Sequence, residues 1–505
     1  MLPVVTADQM RALDRRTIDD IGLPAMTLME TAGRAVAAAA RRMLGGSRGH
    51  VRVVCGPGNN GGDGFVAARV LGAEGSDAVV YLAAPREAVR GDARAHLEIL
   101  ERSGGVIRMI ATPEQLAAAG ADATALVIDA LFGVGLARPI DGHLAEVVAW
   151  MQRAGRILAV DLPSGLDTDT GRALGAAVVA ERTVTMAARK IALVSAPGFA
   201  HAGEIEVADI GIPPAVVAAA DVRTGLIEPG DVARWLPHSH ALDHKGRRGH
   251  VLVVGGSPGM RGAGRLAAFA ALRAGAGLST LAADGELDAA DPVMTRSLAP
   301  GAPLGAALAG KAAIVIGPGL GASDASVARV REVLACGVPA VLDADALNVL
   351  AADPSELARA AGPVVITPHP GEASRLLGIS TAAIEADRLG AARSLAVATR
   401  AVVVLKGART IVCDGAMRFD AIGDLRCAIN PTGGPSLATG GSGDVLAGTI
   451  GALLAQGVPA FDAACAGAYV HGAAGDQLAA VHGPRGVVSS DLPAAIAAAI
   501  RAATS

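Results

Sequence analysis

Short apolar runs recur along this chain, and Ala-rich stretches with helical spacing separate them. In the first half the runs are Val51–Cys55, Ala78–Leu82, Val106–Ile110, Leu126–Asp129 and Ile157–Asp161, with Val207–Ile210 further on. In the second half they are Val251–Val254, Leu278–Leu281, Ala313–Ile316, Val341–Asp343, Val364–Thr367, Val402–Leu405 and Thr410–Cys413. Continuous apolar strands alternating with helices predict an α/β chain whose parallel strands are covered on both faces. The opening helix is marked by Thr6 as cap, with Gln9 three residues on to complete a capping box, and then Met10, Leu13 and Thr17 at helical spacing.

The rhythm breaks between Pro213 and His244, where Pro213, Pro214, Pro229 and Pro237 stand among His238, His240 and His244. This region reads as the connection into a second domain. A chain of 505 residues exceeds one ordinary core, and the expected domains are 1–215 and 225–505. The two halves do not share motifs, which predicts two different folds. The uncharged run Val445–Phe461 contains Pro459 and stops at Asp462. It falls short of the roughly 20 residues of a membrane span and reads as a buried core helix.

Composition adds a few exclusions. Apolar residues make up 51%, which rules out global disorder. The formal charge of −4, with acids and bases interspersed, provides no basic field for nucleic acid or an anionic membrane. Cys55, Cys336, Cys413, Cys427 and Cys465 are scattered and odd in number, so neither a disulfide framework nor a zinc cluster is indicated, and a cytoplasmic location is expected. The N-terminus lacks an apolar signal core. A homo-oligomer is expected.

The candidate chemistry lies at strand ends. HVRVVC runs directly into GPGNNGGDG, where Gly56, Gly58 and Gly61 form a GxGxxG pattern between a strand and a helix. Such glycines let backbone amides approach a pyrophosphate at a helix N-terminus. A tight turn alone needs fewer than the five glycines found in these nine residues. Two further strand-end loops, DALFGVGLARP and DLPSGLDTDTG, place Asp129 and Asp161 where ligands bind in open α/β sheets. In the second half, TGGSGDVLAG exposes the amides of Gly440, Gly441 and Gly443 at a helix start, with Asp444 in the first turn. That arrangement offers an anion hole and a carboxylate able to take a proton from an attacking hydroxyl during phosphoryl transfer. HKG, SPGMRGAG, GPGLG, LDADALN, TPHPGE and LKGART occupy the other strand ends. GAALAGKA fits GxxxxGK, but Ala312 replaces the hydroxyl residue a P-loop needs and a strand follows instead of preceding it.

Taken in order, TADQM…METAG, GPGNNGGDG, DALFGVG and DLPSGLDTDTG resemble the NAD(P)H-hydrate epimerase domain over about residues 1–215. The motifs of the second half resemble the ADP-dependent NAD(P)H-hydrate dehydratase domain, built on a ribokinase-like fold, over about residues 225–500. The resemblance implies a Rossmann-like three-layer domain followed by a ribokinase-like α/β domain. It implies that Asn59, Asn60, Gly61, Gly62 and Asp63 hold the hydrated cofactor together with Gly133, Val134, Gly135, Leu136, Ala137, Arg138 and Pro139. It further implies that Asn60, Asp129 and Ser164 ligate potassium and that Asp161 meets the reacting ring. In the second domain it assigns Ala263, Gly319, His369 and Asp444 to the hydrated dinucleotide, and Lys406, Gly407, Ala408, Arg409, Thr410 and Gly443 to the adenine nucleotide. Related chains more often carry Asn, Gly and Met where Gly434, Ser436 and Leu437 stand here.

The expected activity is therefore repair of hydrated NADH and NADPH. Asp161 serves R/S interconversion, and Asp444 serves ADP-dependent dehydration of the S form to the intact dinucleotide, with AMP and phosphate as products. Magnesium is expected on the nucleotide, with Asp343 and Asp345 as candidate ligands. Two other readings stand beside this one. The first is a vitamin or sugar kinase with a nucleotide-sensing first domain. The second is a non-catalytic, RNA-associated scaffold, which would have lost Asp161 or the NNGGD segment.

Overall fold

Val-, Ile- and Leu-rich runs become parallel strands here because both of their faces are buried. In the computed structural model, residues 1–47, 49–120, 124–288, 292–416 and 422–504 are described; Ser505, the last residue of the expected second domain, lies outside them. The chain divides into two units, Pro3–Val222 and Arg223–Ser505, with Met1–Leu2 belonging to the latter.

The first unit carries β1 (His50–Cys55), β2 (Asp77–Leu82), β3 (Val106–Met109), β4 (Leu126–Ala130), β5 (Ile157–Val160), β6 (Arg182–Met186) and β7 (Glu204–Ala208). Their order is β3-β2-β1-β4-β5-β6-β7, and each pair is parallel. Alternate residues of β1 enter different cores. Val51, Val53 and Cys55 pack with helices Ala25–Leu44 and Asn59–Ala73, whereas Val54 packs with Val147, Val148 and Met151 of helix Gly142–Gln152. The unit is therefore three-layered. The order reverses between β1 and β4, which opens a crevice beyond their carboxyl ends. The capping box forms as expected, with Gln9 N donating to Thr6 Oγ1 at 3.1 Å and Thr6 N to Gln9 Oε1 at 3.0 Å.

Strand β6, RTVTM, has no counterpart in the sequence reading because its threonines look solvent-facing. Both are buried, and Thr183 Oγ1 satisfies itself on Ala202 O at 2.7 Å. Strand β7 runs from Glu204 to Ala208 and overlaps the expected Val207–Ile210 run only at Val207 and Ala208.

The second unit carries β8 (Thr224–Leu226), β9 (His250–Val254), β10 (Leu278–Asp284), β11 (Met294–Leu298), β12 (Ala313–Ile316), β13 (Ala340–Leu342), β14 (Val364–Ile366), β15 (Val402–Leu405), β16 (Ile411–Asp414) and β17 (Cys427–Ile429). Their order is β11-β10-β9-β12-β13-β14-β15-β16-β17-β8. Strand β16 runs antiparallel to both of its neighbours; the other pairs are parallel. Helices Arg261–Arg273, Ser442–Ala455, Ala460–His482 and Leu492–Thr504 share one core with the strands. Helices Asp324–Ala335 and Arg388–Thr399 pack on β12 and on β15 and β16 with buried residues outside that core.

One expectation is corrected and two features add to the reading. The stretch taken as a connection is structured: it holds helix Pro214–Ala219, strand β8 and helix Pro229–Trp235. The run Val445–Phe461 is not one helix, because Gly457 adopts φ +86° and Pro459 caps the next helix at Ala460. Strand β11, MTRSL, goes unpredicted because four of its five residues are exposed, so it carries no apolar signature. Among the described residues, no helix is long and apolar enough to cross a membrane.

Candidate active sites

In the first unit the segment NNGGD is not a loop. Helix Asn59–Ala73 begins at Asn59, and its cap is Gly58, which offers no side-chain hydrogen bond to the first-turn amides. Most of the glycines here serve packing. A Cβ on Gly61 would lie 2.0 Å from Gly56 O, one on Gly56 would lie 2.0 Å from Leu131 O, and one on Gly62 would strike Met29. Gly58 alone of the GxGxxG set faces open space. Gly61→Ala is therefore expected to cost about 1–3 kcal/mol of stability, whereas Gly58→Ala should stay within about 0.5 kcal/mol of wild type. Thermal unfolding of the two variants checks this.

Asp129, the penultimate residue of β4, is fully buried and is tied to the loop after β5. Ser164 Oγ donates to Asp129 Oδ1 at 2.6 Å and Ser164 N to Asp129 Oδ2 at 2.8 Å, while Leu131 N donates to Oδ1 at 3.2 Å. All of these donors are neutral, and burial pushes the Asp129 carboxyl up to about 6. Asn60 contributes a buried side-chain nitrogen with no hydrogen-bond partner.

Asp161 follows β5 in a left-handed conformation, φ +65°, which a short polar side chain tolerates better than most. Lys190 Nζ donates to its Oδ1 at 2.5 Å. Thr185 Oγ1 and Met186 N also reach Oδ1, at 3.2 and 3.3 Å. On the other side, a Cβ placed on Gly133 would lie 3.0 Å from Asn60 Oδ1 and 3.2 Å from Asp161 Oδ2. Asn60, Gly133 and Asp161 thus converge in the β1/β4 crevice. Beyond Gly133 the loop runs outward, leaving Gly135, Ala137, Arg138 and Pro139 exposed.

Two acids join this group. Asp63 is raised well above the usual carboxylate range by burial, then by Asp161 and Asp14. Asp14, from the first helix, is raised to about 6 by burial, with Lys190 opposing. Sequence reasoning missed Asp14 and Lys190; the signal available for Lys190 was a lone ammonium within the apolar run MAARKIALV.

In the second unit the strand ends carry the chemistry. At the β9/β12 reversal, a Cβ on Gly319 would meet Met260 and Ala263, so Ala263 and Gly319 are neighbours. Past β13, Asp343 is buried, and its Oδ1 accepts from Lys406 Nζ at 2.6 Å and Thr367 Oγ1 at 2.8 Å. Lys406 Nζ also stands 3.8 Å from Glu372 Oε2. Helix Ser442–Ala455 is capped by Gly441 at φ +89°, again without a side-chain cap, and a Cβ on Gly443 would lie 3.3 Å from Lys406 Nζ. Asp444 is pushed up to about 7 by burial first, then by Asp343, with Lys406 opposing. Glu372 is raised to about 7, by burial first. His369 caps its own helix: Gly371 N donates to its Nδ1 at 3.0 Å, which leaves the proton of the neutral ring on Nε2.

Lys406 therefore points toward carboxylates. Arg409 turns away, donating to Pro431 O at 3.0 Å, and Thr410 Oγ1 donates to Gly407 O at 3.0 Å. Glu372 belongs to the strand-end segment TPHPGE that the sequence singles out, whereas His471 was missed. His471 is buried, and its Nε2–H donates to Ser442 O at 2.9 Å, steadying the Gly-rich turn. A cavity of about 360 Å³ lined by Leu236, His238, Arg248, Gly275 and Gln456 lies at the opposite, amino-terminal ends of β9 and β10 and is separate from this cluster.

Residues 251–498 match the family model described as NAD(P)H-hydrate dehydratase, and residues 25–192 match the YjeF-related protein N-terminus. The bifunctional NAD(P)H-hydrate repair enzyme Nnr of Moorella thermoacetica is 44% identical over 97% of this chain and 95% of its own length. Its Escherichia coli K12 counterpart is 37% identical over 96% and 92%. Among solved structures, an ADP/ATP-dependent NAD(P)H-hydrate dehydratase from Bacillus subtilis covers 55% of this chain and 98% of its own, at 28% identity and a TM-score of 0.48. The yeast protein YNL200c covers 43% and 93%, at 26% identity and a TM-score of 0.38. The full-length likeness spans both units at once, which a kinase with an added sensing domain does not account for, and it shows that the chain belongs to the bifunctional NAD(P)H-hydrate repair enzymes.

Proposed function

We propose that the second unit dehydrates the S hydrate of NADH or NADPH with ADP as phosphoryl donor, and that the first unit interconverts the R and S hydrates. The observation that carries this reading is the placement of Asp444. It lies in the first turn of a helix capped by glycine, with a carboxyl held near neutrality beside Asp343 and Lys406.

Hydroxide is a poor leaving group. Asp444 takes the hydroxyl proton while that oxygen attacks the terminal phosphorus of ADP, and the bond to the bridging oxygen breaks to release AMP. The amides of Gly440–Gly443 hold the charge on the transferring group. Phosphate then departs with its bonding electrons, a ring proton is lost, and the double bond returns. Lys406 and the Gly407–Thr410 turn would face the nucleotide, and Ala263, Gly319 and His369 the dinucleotide.

Among the described residues, no group of three or more His, Cys, Asp or Glu side chains forms a cage for magnesium, the expected companion of the nucleotide. Asp343 Oδ1 accepts from Lys406 and Thr367, and Asp345 Oδ2 accepts from Gly321 N at 2.8 Å. Potassium fits the first unit better. Asp129 is a buried carboxylate with neutral donors only, and Asn60, Asp129 and Ser164 offer amide, carboxylate and hydroxyl oxygens. A monovalent cation there would supply charge compensation. The five cysteines, all free, agree with a cytoplasmic location.

In the first unit Asp161 acts as base. The hydroxyl proton passes to its carboxylate, the oxygen forms a carbonyl, and the bond to the ring nitrogen breaks with its electron pair going to nitrogen. Closure from the other face returns the proton and inverts the carbon.

Mixed hydrates incubated with ADP, with ATP or without nucleotide, and followed by ring absorbance, test both halves. Consumption of the S form alone removes the epimerase assignment; no consumption with either nucleotide removes the dehydratase assignment. The pH dependence has a defined sign. Asp444 must be ionised to accept a proton, so kcat/KM for the S hydrate should fall about tenfold per unit below pH ~7 and level off above it. A profile flat across neutrality counts against Asp444 as base.

A further inference from the structure

Lys190 has no exposed surface. Its ammonium donates to Asp161 Oδ1 at 2.5 Å, Met186 O at 2.8 Å and Thr185 Oγ1 at 2.9 Å. An ammonium has three donors, and all three are used, so its place is set by β6 and the turn after it. Every hydrogen bond described for the Asp161 carboxylate falls on Oδ1: Lys190, Thr185 Oγ1 and Met186 N. Oδ2 is left on the crevice side, against Gly133 and Asn60. A free aspartate would exchange its two oxygens by rotation about χ2, which is broad for this side chain. This one is clamped by an ammonium whose three hydrogen bonds go to Asp161, Thr185 and Met186, and the buried charge is costly enough that it persists only with its partner.

The geometry points to Lys190 as a positioning residue for epimerisation, one that holds Asp161 so that Oδ2 alone meets the hydroxyl of the hydrate. This rests on Asp161 being the base. Lys190 takes no proton in the step: the hydroxyl proton goes to Oδ2 and returns from it, while the ammonium keeps its charge against Oδ1. Asp14 and Asp63 share the same field, but Lys190 hydrogen-bonds Asp161.

The test uses the full-length chain, with R hydrate consumption in the presence of ADP reporting epimerisation. S hydrate consumption in the same preparation shows that the chain is folded. Lys190→Met should lower kcat on the R hydrate by about 100-fold, the scale of a misplaced catalytic group, with KM moved by less than about threefold. Lys190→Ala should regain part of that loss with methylammonium chloride and none with tetramethylammonium chloride, which has no N–H to donate. Thr185→Val, a milder change to the same clamp, should lower kcat without raising KM and guards against misfolding of the lysine variants. The proposal is overturned if kcat stays within about threefold of wild type, if the loss falls on KM alone, or if neither methylammonium nor Lys190→Arg restores any activity. Failure of the wild-type chain to interconvert R and S would instead remove the Asp161 reading beneath it.

Discussion

Asp444→Asn is expected to lower ADP-dependent consumption of the S hydrate by about 10²–10⁴-fold, the range of a lost general base, and to leave R/S interconversion intact. The substitution keeps size and removes only the ability to accept a proton. It leaves the glycine cap, the His471 bond to Ser442 O and the Lys406–Asp343 pair in place. Binding should therefore change little, and the loss should appear in kcat more than in KM. The fold is not put at risk: the wild-type carboxyl is destabilised by its surroundings, which raise it to about 7, and a neutral amide escapes that cost. Single-turnover measurement with S hydrate and ADP separates the chemical step from product release. If Asp444→Asn kept wild-type turnover, or silenced both activities in a folded chain, the assignment of separate sites would fail.

What was legible in the sequence follows a physical division. Strands buried on both faces announce themselves as apolar runs, so β1, β4, β9, β12 and β15 were read within a residue or so. Strands that hide polar groups or lie exposed did not: β6 buries two threonines by bonding their hydroxyls, and β11 is mostly exposed. The strand-end aspartates were visible because chain punctuation places them where ligands bind. Their controllers were not. Lys190 lies 29 positions from Asp161, and Lys406 lies 63 positions from Asp343, so only the closed sheet brings them together. The glycines misled in one respect, since Gly56 and Gly61 are required by close backbone approach between helix and strand. The two units share a solution: each sets an aspartate at a strand end and fixes it with an ammonium from a later strand end.

Asp161→Asn is expected to do two things at once. Interconversion of R and S should fall by about 10²–10⁴-fold while dehydration of the S form persists. The first unit should also lose stability, because the change strands an ammonium with no exposed surface among neutral partners, Thr185 Oγ1 and Met186 O. Removing one member of a buried ion pair costs about 3–5 kcal/mol, since the desolvation of the remaining charge is no longer offset. For a unit of this size that corresponds to a drop of roughly 6–20 °C in its melting transition. Adding Lys190→Met should recover much of the stability and none of the activity, because two neutral side chains of similar volume carry no unpaired charge. Hydrogen exchange in β5 and β6 localises the effect to the clamp. If the single variant melted with wild type while losing epimerisation, the pair would be shown to act on the chemistry alone; if it melted with wild type and remained active, Asp161 would be neither base nor clamp.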